Sequence, residues 1–263
     1  AGGPSVAPVA NQASLAQAAL QELGSSAAEI NTALKGADRV RKRPAVIFGS
    51  DGLEGCQHSF FEILSNSVDE AKAGHGKEIK VTVFQDRSIE VDDHGRGVPL
   101  GWNEAEGRWN WDLIYCELYA GGKYKNNEDG AAYEFSLGLN GLGACATQYS
   151  SEYMTVCSYD GTTKRSISFK KGEPVTGVLE ERELERKEKR TGTVIRWKPD
   201  IEVFTDINIP EEYFTDMLHR QSVVNAGLQF DLAVEQEDGS FKLTHGVFYQ
   251  FCQAAANQPK KDF

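Results

Sequence analysis

The sequence predicts an α+β fold in two layers, a mixed and mostly antiparallel sheet covered on one face by helices. Three observations predict it. Segment 51–73 places Leu53, Phe60, Phe61, Ile63, Leu64 and Val68 at helical spacing. Segments 79–84, 88–91, 153–159, 163–169, 175–179, 193–197 and 228–234 alternate or run β-branched, as strands do. These strands mostly follow one another directly, with helices between only some, which favours pairing of sequential neighbours over a wound βαβ sheet.

Taken in order, residues 1–25 are rich in Ala, Gly, Ser and Gln and lack a secretory signal's charged start and apolar stretch; they read as a flexible arm or boundary segment. A weak helical pattern over 27–40 leads into the basic cluster Arg39, Arg41, Lys42 and Arg43, ahead of Pro44. The strong helix 51–73 follows, then a hairpin whose strands are separated by Gln85, Asp86 and Arg87. Residues 95–143 hold many glycines around a helix-like stretch, 110–119, and a polar run, 123–130, of the kind that serves as a functional loop. Mixed charges over 180–190 read as a solvated turn or helix, residues 210–226 as a helix, and 246–256 as a helix that begins something further. The expected division is an arm over 1–25, a main domain over 26–235 and a C-terminal extension over 236–263.

Size and composition narrow the function classes. A chain of 263 residues buries a core without staples. No apolar run approaches the roughly eighteen residues that a membrane span requires. The 5 cysteines are widely spaced with no CxxC pair, which suggests neither a disulfide framework nor a zinc site and fits a reducing cytoplasm. A net charge of −11 argues against this segment wrapping DNA, because neutralising phosphates takes a concentrated basic surface.

Three short patterns carry chemistry. Glu62, Asn66 and Asp69 sit at i, i+4 and i+7 of the strong helix and share one face; alone, such a stripe is more often a solvent-facing surface. Asp92, Asp93, His94, Gly95, Arg96 and Gly97 end a strand in two carboxylates followed by glycines that let the backbone turn tightly beside a ligand; an ordinary turn would look similar. Gly138, Leu139, Asn140, Gly141, Leu142 and Gly143 precede an apolar, helix-like segment, and a glycine-rich turn at a helix start offers free N–H groups to phosphate oxygens. The last pattern is neither a GxxxxGK[ST] loop nor a Rossmann turn. His58, His75, His94, His219 and His245 show no metal-ligand spacing, Ser136 and Ser150 no nucleophile elbow, and Trp102, Trp109 and Trp111 read as core or lid packing.

In order, ExxxN on a helix, DxGxG after a strand, a long Gly-rich loop, GxNGxG and a strand entered through Thr191-Gly192-Thr193 resemble the ATPases shared by gyrase, heat-shock chaperones, histidine kinases and mismatch-repair proteins. Val40-Arg41-Lys42-Arg43-Pro44, Asn66-Ser67-Val68-Asp69-Glu70-Ala71, Ala120-Gly121-Gly122-Lys123-Tyr124 and Arg190-Thr191-Gly192-Thr193 narrow the resemblance, over about 26–255, to the N-terminal domain of the type II topoisomerase B subunits. The resemblance implies a Bergerat-type ATP-binding fold that takes ATP and Mg²⁺. It makes Glu62 the general base for the attacking water, Asn66 the Mg²⁺ ligand, and Asp93 the acceptor for the adenine amino group, supported by Thr193. Asp69, Gly97, Val98 and Pro99 join the nucleotide site, Glu70 and Arg96 pair beneath it, and Arg165 lies at its outer edge, where ATP-competitive inhibitors reach. Lys123 and the backbone of Leu139, Asn140, Gly141, Leu142 and Gly143 grip the phosphates from a lid over about 121–143.

The resemblance further implies a homodimer formed on ATP binding, with the A subunit and DNA engaged through a longer protein, and a monomeric, weakly active fragment lacking the transducer domain's lysine. This sequence has Ser65 and His94 where gyrase-like chains usually carry Asp, Asn140 where bacterial relatives commonly carry His, and Leu137 for a common Gly. No arm tyrosine precedes Val40; its place falls near Ser25. Two other readings stay open: a mismatch-repair or chaperone-type relative, and a nucleotide-binding module without turnover.

Overall fold

The computed structural model describes residues 36–118 and 142–246. Helices α1 (Gly36–Lys42), α2 (Pro44–Phe48) and α3 (Leu53–Lys72) lead into strands β1 (Glu78–Val83) and β2 (Ile89–Asp93), the small hairpin β3 (Trp102–Asn103) and β4 (Arg108–Trp109), and α4 (Asn110–Cys116). After the undescribed stretch come α5 (Gly143–Tyr149), β5 (Ser151–Asp160), β6 (Thr163–Lys170), β7 (Glu173–Pro174), β8 (Glu180–Glu183), β9 (Thr191–Pro199), α6 (Glu211–Val224), β10 (Gln229–Glu235) and β11 (Phe241–Thr244). The main sheet runs β11-β10-β1-β2-β9-β5-β6-β7, with β8 also on β6. Its β1–β10 pair is parallel and its other ladders are antiparallel. This is the α+β sandwich that the sequence predicts.

Helix α3 forms because Cys56, Phe60, Ile63, Leu64 and Val68 give it one continuous buried stripe. It stops at Gly74, whose φ of +91° is cheap for glycine; Gly74 N donates to Ala71 O and His75 N to Glu70 O at 3.0 Å, a Schellman closure. The stripe packs on Ile79, Val81, Ile89, Val91, Ile195 and Trp197, the inward residues of β1, β2 and β9, and on Phe214 and Leu218 of α6. Phe60 and Phe214 meet edge to face at 4.9 Å. A second cluster joins Val40, Phe48, Cys56, Cys145, Ala146, Tyr149 and Phe204, and so fastens α1, α2 and α5 together.

Several expectations need correction. Residues 175–179 are not a strand: Thr176 Oγ1 bonds Val178 N at 3.2 Å, Gly177 has φ +65°, and Val175 and Val178 stay exposed. Val175 N still bonds Ser168 O of β6 at 2.9 Å, but the chain then turns at Thr176 and Gly177 and the pairing stops. The mixed-charge stretch contains β8 and then a 3₁₀ turn, Arg186–Glu188, closed by a Glu185–Glu188 capping box. Helix α2, the β3–β4 hairpin and β11 have no clear sequence pattern, and β11 adds a strand from within the expected extension. Trp111 is buried, whereas Trp102 and Trp109 are exposed and meet edge to face. The expected arm, most of helix 27–40 and nearly all of 246–256 lie outside the described residues.

The described cysteines are free. Burial pushes the Cys56 and Cys116 thiols up to about 12 and raises Cys145 as well, which leaves little of the reactive thiolate near neutrality. In the native protein at pH 8 these three should resist iodoacetamide until denaturant is added, as peptide mass spectrometry would show; prompt native labelling of Cys56 would contradict this burial.

Candidate functional site

The site gathers where α3, the end of β2, the start of β9 and the start of α5 converge. Asp93 is the last residue of β2 and is buried. Its Oδ1 accepts from Gly95 N at 3.0 Å and Thr193 N at 2.9 Å, and its Oδ2 accepts from Ser67 Oγ of α3 at 2.9 Å. A carboxylate has about four lone-pair directions; three are used, and one on Oδ2 is left for an outside donor. Burial pushes the Asp93 carboxyl above its ordinary value, and the hydrogen bonds from Thr193, Gly95 and Ser67 offset part of that rise.

The backbone beyond Asp93 is held as closely. Arg96 donates from Nε at 3.1 Å and Nη2 at 2.8 Å to the two oxygens of Glu70, and Arg96 N adds a third bond at 3.2 Å. Glu70 is buried on α3, so this forked pair ties the DxGxG turn to the helix. Val98 N donates to Thr193 Oγ1 at 3.0 Å, and Gly97, at φ +88°, leaves room that a Cβ would take from Ser158 Oγ and Tyr159 O. Pro99 then leads to buried Leu100.

Gly192 sits so close to the Asp93 carbonyl that any Cβ would strike it, and its φ is +124°. Gly192→Ala should cost roughly 2–6 kcal/mol, about 1–3 from backbone strain and a similar amount from the clash. Denaturant titration should show the midpoint falling; an unchanged midpoint would refute the close approach.

Glu62 lies on the face of α3 that meets α5. Gly143, the first residue of α5, abuts it so closely that a Cβ there would overlap the Glu62 carboxylate, and Thr147 of α5 donates to Ser59 O at 3.3 Å. His58, one turn before Glu62, places Nε2 3.1 Å from Glu62 Oε1 and Nδ1 3.2 Å from Phe48 O. A ring carrying protons on both nitrogens satisfies both oxygens; a ring carrying one satisfies a single oxygen. Asn66, one turn after Glu62, is half-buried, and its side chain makes no hydrogen bond to a described residue. Asp69 is buried further along the same helix.

The structure thus brings Glu62, Asn66, Asp69, Glu70, Asp93, Arg96, Gly97, Val98, Pro99, Leu142, Gly143 and Thr193 into one region. Arg165 lies on β6 opposite Ser158, at the rim, where Asp160 at 2.7 Å and Glu181 at 2.8 Å engage its guanidinium. Lys123, Leu139, Asn140 and Gly141 lie outside the described residues. Sequence reasoning missed Ser67, His58 and Arg190. Arg190 donates to both oxygens of Asp92 and to Asp93 O at 2.7 Å while lying 4.9 Å over the Tyr159 ring. His58 had a signal, its i, i+4 spacing to Glu62; Ser67, on α3, and Arg190, ahead of β9, stand in the motifs that carry the resemblance, but the contacts that give them a role form only when β2 lies beside them. A cavity of about 300 Å³ lined by Val83, Phe84, Arg87, Ile209 and Phe214 lies beyond the opposite end of β2. No group of three metal-ligating His, Cys, Asp or Glu side chains occurs among the described residues.

No family model matches the chain. Relatives are clear, however. The chain is 34% identical over 223 residues to the DNA gyrase B subunit of Thermotoga maritima, covering 84% of this chain and 34% of that protein. It is 37% identical over 196 residues to the DNA gyrase B subunit of Thermus thermophilus, covering 74% of this chain and 30% of that one. It is 36% identical over 206 residues to the DNA topoisomerase 4 B subunit of Bacillus subtilis, covering 78% and 30% respectively. The chain therefore spans about a third of the length of these relatives, and it belongs with them to the family of type II topoisomerase B subunits.

Proposed function

We propose that the chain is the ATP-binding and ATP-hydrolysing domain of a type II topoisomerase B subunit, in which ATP binding closes a dimer gate that drives DNA strand passage. The observation that supports this most is the buried Asp93, whose carboxylate is held by three donors and keeps one acceptor position open. That arrangement suits the exocyclic amino group of adenine, and Thr193, Ser67 and Gly95 hold the acceptor for it. Val98 and Pro99 supply an apolar border, Glu70 and Arg96 brace the turn from below, and Asp69 closes the α3 side.

Glu62 orients and deprotonates the attacking water, with His58 fixing its carboxylate from the side away from Gly143. Asn66, an amide on the same helix face whose side chain has no partner among the described residues, fits a Mg²⁺ ligand, since that ion keeps several waters and takes few protein ligands. Bound there, Mg²⁺ would neutralise phosphate charge. Leu142 and Gly143 would join Lys123, Leu139, Asn140 and Gly141 in gripping phosphates, and Arg165 marks the rim where competing inhibitors reach. The A subunit and DNA would be engaged by the longer protein in the cytoplasm, with this fragment monomeric and slow to turn over alone. Among the described residues no helix is long and apolar enough to cross a membrane.

Sedimentation of the longer protein tests this reading. With Mg²⁺ and a non-hydrolysable ATP analogue it should shift from monomer to dimer and return when nucleotide is removed; a monomer at saturating analogue would overturn the gate.

A further inference from the structure

Helix α5 is held at both ends, and only its leading end belongs to the site described above. At its trailing end Arg41 Nη1 donates to Tyr149 O at 3.1 Å and reaches Ser151 O at 3.5 Å. Arg41 Nη2 donates to Asp200 Oδ2 at 2.6 Å and to Glu202 Oε2 at 3.3 Å. The Asp200 side chain is 3% exposed and that of Arg41 16%. Asp200 N in turn donates to Ser150 O at 3.0 Å, and Asp200 Oδ1 accepts from Glu202 N at 2.9 Å. One guanidinium therefore joins the last carbonyl of α5 and the first of β5 to the 200–205 segment, which is itself tied to the start of α3 by Thr205 N donating to Asp51 O at 2.8 Å. A cation is favoured at a helix C-terminus, and a planar guanidinium that donates from Nη1 to the helix end and from Nη2 to buried Asp200 fixes direction as well as distance. Its net contribution to stability is small, because desolvation opposes the attraction.

The leading residue of α5 is Gly143, pressed against the Glu62 carboxylate. Seven helical residues span about 10 Å, and Cys145, Ala146 and Tyr149 embed the helix in the packed second cluster, so a shift at one end reaches the other. We infer that Arg41, with Asp200, is a positioning residue: it sets where α5 lies and so where Gly143 meets Glu62. Its effect on turnover rests on the proposed function; its effect on α5 does not. Among the described residues Arg41 bonds Tyr149, Ser151, Asp200 and Glu202 and none of the nucleotide-site residues, so it acts through the helix.

The test compares wild type, Arg41→Met, Arg41→Lys and Asp200→Asn in the full chain by two readouts. Amide hydrogen exchange should quicken at Ala146, Thr147, Gln148, Tyr149 and Ser150 in Arg41→Met while β5 and β9 keep their protection. ATP turnover should fall about ten- to a hundredfold in kcat, the scale of a small misplacement of a reacting group, with KM moving little. Arg41→Lys should recover part of both, and Asp200→Asn should follow Arg41→Met. Unchanged exchange in α5, faster exchange throughout the domain, or loosened α5 with wild-type kcat would each overturn the inference. Absence of turnover in wild type would instead count against the proposed function, and the exchange readout would still decide whether Arg41 holds α5.

Discussion

Glu62→Ala should bind Mg²⁺-ATP about as tightly as wild type yet lose its turnover. General base catalysis contributes about 10²- to 10⁴-fold, and with the slow turnover proposed for this domain a loss of that size brings the rate close to background. Binding should survive because the proposed adenine contact lies with Asp93, on β2, while Glu62 sits on α3 against Gly143. Truncation also frees space beside Gly143 instead of crowding it, and it leaves His58 with its bond to Phe48 O. Phosphate release over hours, measured beside equilibrium binding of a non-hydrolysable analogue, separates the two effects. Wild-type turnover in the variant would remove Glu62 from the chemistry; equal loss of binding would make it a structural residue.

Asp93→Asn should have the reverse signature, losing binding and turnover together. The three donors around the carboxylate leave an amide little choice: its oxygen must meet Gly95 N and Thr193 N, and its NH₂ is then aimed at Ser67 Oγ and at the open position. A donor there faces the adenine amino group. Hydrogen bonds to charged groups are worth about 1.5–3 kcal/mol, so nucleotide affinity should fall at least ten- to a hundredfold. The same geometry gives a pH dependence. Burial raises the folded-state value of Asp93, so acidification should protonate it, and weaken nucleotide binding, at a higher pH than an ordinary aspartate would require. For stability the sign follows: a carboxyl raised on folding favours the protonated native state, its cost is absent below the ordinary aspartate range, and stability is lost as pH rises through the folded value.

The sequence carried much of this because the informative residues are local. The α3 stripe and the inward residues of β1, β2 and β9 sit at clean periods, and glycines mark close approaches: Gly97 against Ser158, Gly143 against Glu62, Gly192 against Asp93. What was not legible is long-range pairing. Ser67 reads as one more residue of a helix until Asp93 arrives beside it from β2, and Arg190 as part of a charged run until β9 pairs with β2. Residues 175–179 err the other way, since β-branched composition reports what a strand tolerates and not where the chain turns away from its neighbour. The parallel place of β10 beside β1 likewise depends on the intervening chain returning across the sheet. The alternative readings, a mismatch-repair or chaperone-type relative, share the local patterns and were separated from the topoisomerase family by the comparisons with known proteins.

The central claim is that the Asp93 pocket binds adenine nucleotide, and calorimetric titration of the chain with a non-hydrolysable ATP analogue and Mg²⁺ tests it most directly, in wild type and in Asp93→Asn. Saturable one-to-one binding in wild type that disappears in a folded Asp93→Asn is the expected result; no binding in wild type, or equal binding in both, would contradict it.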